Sequence, residues 1–199
     1  QECAAVVAVA PTLNGVAQIV YGNQNWSTSV YGTTGGVLEV RDLALTAGRG
    51  FVEQDVRSAT KVAILGQTVV ENLFGDMDPV GQIIRLKKVP FTVIGVLEPK
   101  GQNPFGHDQD DVVYIPVTTA QKKIFGTTFP GSVRSISVKA RSAEDMERAE
   151  TQLTELLRQR HRIGPRGELD FTVRNLTQLM QAAEQSSRVM TLLLGAIAS

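Results

Sequence analysis

The sequence predicts an α+β chain rich in short strands, and three observations support this. Apolar, β-branched runs of strand length recur at Val6–Ala10, Lys61–Leu65, Gln82–Leu86, Phe91–Leu97, Val112–Ile115 and Ser135–Ala140. Glycine, proline and asparagine clusters punctuate them. Only a few stretches, above all Gln67–Phe74 and Ser142–Arg160, repeat their apolar residues at helical spacing.

Taken in order, Val6–Ala10 reads as a strand that Pro11 ends, and Gly15–Tyr31 as a hairpin turning at Gly22-Asn23. Gly32–Gly36 breaks that pattern, Val37–Val40 forms a short helical turn or loop, and the glycines of TAGRGFVEQD (46–55) mark a tight turn into a polar stretch. Lys61–Leu65 has the length of a buried strand. Val69, Val70, Leu73 and Phe74 then share one helix face, with Gly75 at the expected stop. The runs 82–86 and 91–97 form a second hairpin joined by residues 87–90. Residues 99–111 are a long polar loop, Val112–Ile115 a strand and Thr118–Phe125 a short helix. Ser135–Ala140 alternates as a strand does. Ser142 with Asp145 resembles a capping box for a helix to Arg160, whose stripe is Met146, Ala149, Leu153, Leu156 and Leu157. Acids lie early and bases late in this helix, as its dipole favours. Leu169–Val173 is expected as a strand, so that 135–173 reads as a βαβ-like unit, and a final helix starts at Leu176.

The 199 residues, 42% hydrophobic and 20% charged, suffice for one domain or two small ones. Lysine plus arginine and aspartate plus glutamate are 20 each, so no net field gathers nucleic acid or anionic lipid. Cys3, the single cysteine, has no intramolecular disulfide partner and leaves the redox compartment open. With no initiator methionine and no signal-peptide pattern, the chain reads as part of a longer protein. Its end, VMTLLLGAIA at 189–198, is shorter than the roughly 20 residues of a membrane-crossing helix. A buried terminal helix and the first turns of a truncated span both fit.

No motif supports catalysis. His107 lies in a loop and His161 at the basic end of a helix, neither near a nucleophile pattern. Asp108, Asp110 and Asp111 resemble part of a calcium loop, yet lack the remaining spacing and the distal bidentate glutamate; capping of backbone amides is the commoner use of such carboxylates. The glycines at 32, 35, 36, 48 and 50 match no phosphate-loop spacing and read as turn residues. The basic run Arg158–Arg166 has no aromatic interleaving and reads as a solvated helix end. Accordingly no residue is named as catalytic, cofactor-binding or metal-ligating, and no substrate or partner contact is assigned.

Five segments together are specific: GRGF at 48–51, VAILGQTVVENLFG at 62–75, DPVGQIIRL at 78–86, FTVIGVL at 91–97 and QDDVVYIP at 109–116. They closely resemble the periplasmic core of MacB-type ABC transporter permeases, within the MacB/FtsX-like group. The likeness continues more weakly through SISVKARSAEDMERAETQLTELLRQRH, while the first fifty residues match mainly in pattern.

The resemblance implies a periplasmic domain of a bacterial inner-membrane protein, held between the first two membrane helices of a permease that works as a homodimer. It implies a porter-like subdomain from residues 1–50 and 133–188, and an inserted Sabre-like subdomain from 51–132. Residues 189–199 would start the second membrane helix. ATP and magnesium belong to a separate nucleotide-binding domain in this family, so no cofactor and no ATPase activity are expected in this chain. The partners implied are a second permease copy, a periplasmic adaptor and a TolC-like outer-membrane duct, with the membrane reached through flanking helices and no nucleic acid. The function implied is mechanotransmission, coupling distant ATP hydrolysis to extrusion of periplasmic substrates. Two rivals are a permease that extracts lipoproteins or senses peptides without a duct, and, in a different class, a free-standing soluble binding module or hydrolase.

Overall fold

The first strand does not stop at Pro11; β1 runs from Val6 to Tyr21 in the computed structural model, which describes residues 3–103, 106–126, 131–164 and 167–177. Thr12 turns its carbonyl to the amide of Arg134 at 3.0 Å. Backbone groups alternate in direction along a strand, so Pro11 aims at the opposite edge, where pairing with β2 (Gln24–Thr33) starts only at Leu13–Gly32. The missing N–H costs no ladder bond there, which is where a strand tolerates proline. The hairpin turns at Gly22-Asn23 as expected, with Gly22 at φ +55°.

After β2 come a single helical turn, α1 (Val37–Val40), and β3 (Leu45–Gly48). Then follow α2 (Glu53–Arg57), β4 (Val62–Leu65), α3 (Gln67–Phe74), β5 (Ile83–Leu86), β6 (Val89–Leu97) and β7 (Val112–Pro116). The expected tight turn at 46–55 is therefore a strand and a helical turn. Thr46, Ala47 and Gly48 are all exposed and a register shift falls between Leu45 and Ala47, so no alternation marks β3. The second hairpin is tighter than expected, since Leu86 pairs with Val89 and only Lys87 and Lys88 turn, both at positive φ. Beyond β7, the expected helix at 118–125 is a three-residue α4 (Val117–Thr119) running into a π-helical segment, Ala120–Phe125. β8 (Ser135–Ala140) pairs with β1.

The strands close on themselves. β2 pairs with β7, β7 with β4, β4 with β6, β6 with β5, β5 with β1 and β1 with β2, while β3 adds to the far part of β6. Alternation then sorts side chains to two sides. Ala17, Ile19, Val30, Leu65, Ile84, Phe91, Val93, Val113 and Ile115 form one cluster with Val69, Val70, Leu73 and Phe74 of α3. Their neighbours Ile64, Val112 and Tyr114 face the other side and pack with Val37 and Phe51. All five residues of β7 are buried, which is why it reads as a continuous apolar run.

The chain divides into two compact units, one of residues 8–139 and one of residues 1–7 with 140–199. These cuts differ from the subdomains the resemblance implies: residues 8–50 and 133–139 group with the middle of the chain. The ring of strands belongs to the first unit apart from the start of β1. The second is built on α5 (Met146–Arg160), which begins a turn later than its sequence pattern suggests. Ser142 and Asp145 do meet, the Asp145 amide donating to the Ser142 hydroxyl at 3.2 Å. Ala149 is the one fully buried member of its stripe. Leu169–Val173 forms no strand; Leu169 stays 46% exposed and no ladder partner engages the segment. Leu176 and Thr177 are helical, and the rest of that expected helix, with the apolar 189–198, lies outside the described residues. Among those described, no helix is long and apolar enough to cross a membrane.

Candidate functional site

The acidic loop before β7 was the one place where the sequence grouped metal-type ligands, and its three carboxylates are each engaged in the fold. Asp110, 8% exposed, accepts the backbone N–H groups of Lys100 at 2.8 Å and Gly101 at 2.7 Å, one per oxygen. Asp108 accepts the Thr68 hydroxyl at 2.7 Å and the Asp110 amide at 2.8 Å. Asp111 accepts the indole N–H of Trp26 at 2.8 Å. The three therefore diverge, tying the loop to its own start, to α3 and to β2. Among the described residues no group of three or more His, Cys, Asp or Glu is placed to hold a metal ion.

This anchoring follows from where the backbone must go. Gly66 donates its N–H to Val112 at 2.8 Å, and a side chain there would meet the Asp110 carbonyl at 2.2 Å. The loop thus returns against the end of β4, and the buried polar groups this creates are paired, as burial requires.

The GRGF segment has a similar structural logic. Gly48, at φ +76°, crosses β6 so closely that an added Cβ would lie 2.1 Å from the Ile94 carbonyl. The next residue, Arg49, donates its N–H to that carbonyl at 2.8 Å and its guanidinium to the Asp55 carboxylate at 2.7 Å. Asp55 also accepts the Val52 N–H at 3.0 Å and the Thr60 hydroxyl at 3.1 Å, so it caps α2 from within. The Arg49 hydrogen bond, reinforced by those from Val52 and Thr60, holds the Asp55 carboxyl below the usual carboxylate range against its burial. Phe51 is buried beneath this latch, and a shallow cavity of about 430 Å³ opens beside it, lined by Thr34, Gly35, Phe51, Glu53, Val56 and Arg57. Glu53 and Arg57 pair with each other at 2.6 Å on its rim.

At the α1 end, Arg41 lies 5.0 Å over the Tyr31 ring and donates to the Tyr114 hydroxyl at 3.3 Å. Burial pushes the Tyr114 phenol up despite that cation. Asp42 pairs with Lys139, whose hydrogen bond and charge hold its carboxyl down.

Neither histidine joins a catalytic constellation among the described residues. His107 is exposed and serves the loop through its backbone, its N–H donating to the Asn103 side chain at 3.0 Å. His161 follows α5, with Nδ1 at 2.8 and 2.9 Å from the two oxygens of Asp170 and its ring edge-on to Phe171. Within the basic run, Arg158 donates to the Gly164 carbonyl at 2.6 Å and closes the helix end; Arg166 lies outside the described residues. Sequence reasoning passed over the Arg49–Asp55 latch and the Trp26–Asp111 bond. The spacing of Asp55, three residues after Val52 at the start of α2, was the one signal for the first.

The family of MacB-like periplasmic core domains matches residues 1–156 of the chain. The macrolide export ATP-binding/permease protein MacB of Chlorobium luteolum is 37% identical over 193 residues, 97% of this chain and 28% of that protein. The protein of the same description from Chlorobaculum tepidum is 40% identical over 185 residues, again 28% of its length. The chain thus spans under a third of these relatives. Among solved structures, the periplasmic region of MacB from Actinobacillus actinomycetemcomitans matches with a TM-score of 0.73 at 29% identity, covering 91% of this chain and 77% of that one. The extracellular domain of the noncanonic ABC-type transporter YknZ from Gram-positive bacteria shares the fold, with a TM-score of 0.69 at 23% identity over 86% of this chain and 83% of that one.

Proposed function

This chain belongs to the family of MacB-like periplasmic core domains, and from that membership we propose that it transmits force between a membrane-embedded permease and partners outside the membrane. The observation that carries the reading is that two of the family-bearing segments are spent on the fold: the carboxylates at the start of QDDVVYIP and the GRGF latch brace strands against loops. A braced ring of strands moves as one body, which suits a lever better than an active site.

In this reading ATP and magnesium act in a separate nucleotide-binding domain, and this domain needs no cofactor. Two permease copies pair, closure at the ATP sites changes the angle and mutual contact of their periplasmic domains, and substrate is driven outward. The domain lies in the periplasm of an inner-membrane protein, with a periplasmic adaptor and a TolC-like duct as its partners. The strands of the porter-like and Sabre-like subdomains share the one ring, so in this reading the ring turns as a whole. A second arrangement, without a duct, is favoured by the shared fold of the Gram-positive transporter domain, since such cells have no outer membrane.

The test uses the full-length gene product. Excising this domain is expected to leave ATP hydrolysis measurable and to abolish export. Export that persists after excision, or ATP turnover by this chain alone, contradicts the reading.

A further inference from the structure

One end of the strand ring is basic in a chain that is neutral overall. No aspartate or glutamate occurs at positions 3–38, 79–97 or 112–143. Those stretches supply β1, β2, β5, β6, β7 and the π-helical segment. Lysines gather where two of these elements meet. Lys87, in the β5–β6 turn, donates through Nζ to the Ile124 carbonyl at 3.2 Å and lies 5.1 Å over the Phe125 ring. Lys88 follows it in the turn, and Lys122 and Lys123 precede Ile124 in the π-helical segment. All four are exposed, and none forms an ion pair among the described residues.

Apolar surface is set among these charges. The Lys87 amide donates to the Gln18 carbonyl at 3.4 Å, which brings the turn beside β1. There Gly15 seats the Phe125 ring, which a Cβ would meet at 2.5 Å, and Val16 stands 67% exposed. Among the described residues only Lys87 of the four is hydrogen-bonded into the fold, and like charges gathered on one surface are costly unless a partner neutralises them.

We propose that this end of the ring docks an acidic segment of a partner protein, its carboxylates meeting Lys88, Lys122 and Lys123 and an apolar side chain resting on Val16 and Phe125. A protein suits the surface better than a single phosphate, because the lysines stand on two elements around an apolar centre and do not converge on one point. An apolar centre inside a charged rim is how protein interfaces are laid out. A bilayer suits it less, since one valine and a half-covered phenylalanine offer little to insert. The inference deepens the partner-docking part of the reading above.

The test titrates the full chain with a decapeptide of glutamates around one phenylalanine, with its lysine counterpart, and with phosphatidylglycerol vesicles. The acidic peptide is expected to bind, with NMR shifts confined to residues 15–18, 85–90 and 121–126. Binding should weaken roughly tenfold in the Lys88→Glu, Lys122→Glu, Lys123→Glu variant, as reversal of rim charges predicts. That variant alters only exposed side chains, and an unchanged unfolding midpoint checks its fold. Absence of peptide binding, equal binding by the variant, or binding of vesicles alone overturns the proposal. The readout involves neither ATP nor export, so its failure leaves the coupling reading standing.

Discussion

The guanidinium of Arg49 lies 2.7 Å from the Asp55 carboxylate, and the two arrive from different elements, one just past the end of β3 and the other in the first turn of α2. Their burial is unequal, with side-chain exposure of 50% for Arg49 and 8% for Asp55. The latch is therefore held by the carboxylate, and the cation is the expendable half.

Asp55→Ala removes the acceptor for the Val52 amide, the Thr60 hydroxyl and Arg49 together, and is expected to cost about 2–3 kcal/mol. Arg49→Ala should cost under about 1 kcal/mol, because an exposed cation is well solvated. Urea unfolding of both variants checks the order, and a larger loss for Arg49→Ala would contradict it.

The same carboxylate sets an acid limit. Its folded-state pKa is depressed, so its contribution is present above the unfolded value, about 3.9, and is lost as pH falls through the lower folded value. Between pH 6 and pH 3 the wild-type chain should lose more stability than the Asp55→Asn variant, which has no charge to titrate there. Parallel losses in the two would assign acid sensitivity to other groups.

Asp110 and its neighbours are braces in this account, so calcium has nothing to organise. Adding calcium or a chelator should leave the melting temperature unchanged, whereas Asp110→Ala should destabilise by about 1–3 kcal/mol by orphaning the Lys100 and Gly101 amides. Hydrogen exchange at those two amides locates the effect. A clear rise in melting temperature with calcium would restore the metal reading.

Two glycines at positive φ should behave oppositely. Gly48→Ala forces a Cβ into the Ile94 carbonyl and is expected to prevent the β3–β6 pairing from forming. Gly22→Asn, in an open hairpin turn, should be nearly neutral, because asparagine accepts that conformation. Thermal melts of the two variants decide the matter.

What the sequence revealed depended on how local the determinant was. β4, α3, β5 and β7 were readable because burial imposes a period or an unbroken apolar run on consecutive residues. β3 was missed because its pairing lies with Gly95–Leu97, about fifty residues away, and all its residues but Leu45 are exposed. Pro11 was misread as a stop because its tolerance depends on β2 ending at Thr33, which β1's own residues do not encode. Leu169–Val173 has a strand's alternation but no partner edge, and alternation alone forms no ladder. At the acidic loop, composition singled out the right carboxylates. Only the fold shows Asp108 turned to Thr68 and Asp111 to Trp26, partners 40 and 85 positions away.

The central claim is motion as a rigid lever. Spin labels at position 23, in the exposed Gly22-Asn23 turn, report the separation of the two copies that the proposed function places in the full-length protein. Pulsed EPR is predicted to show one distance distribution without nucleotide and a clearly displaced one with a non-hydrolysable ATP analogue. Identical distributions in the two states would contradict the account.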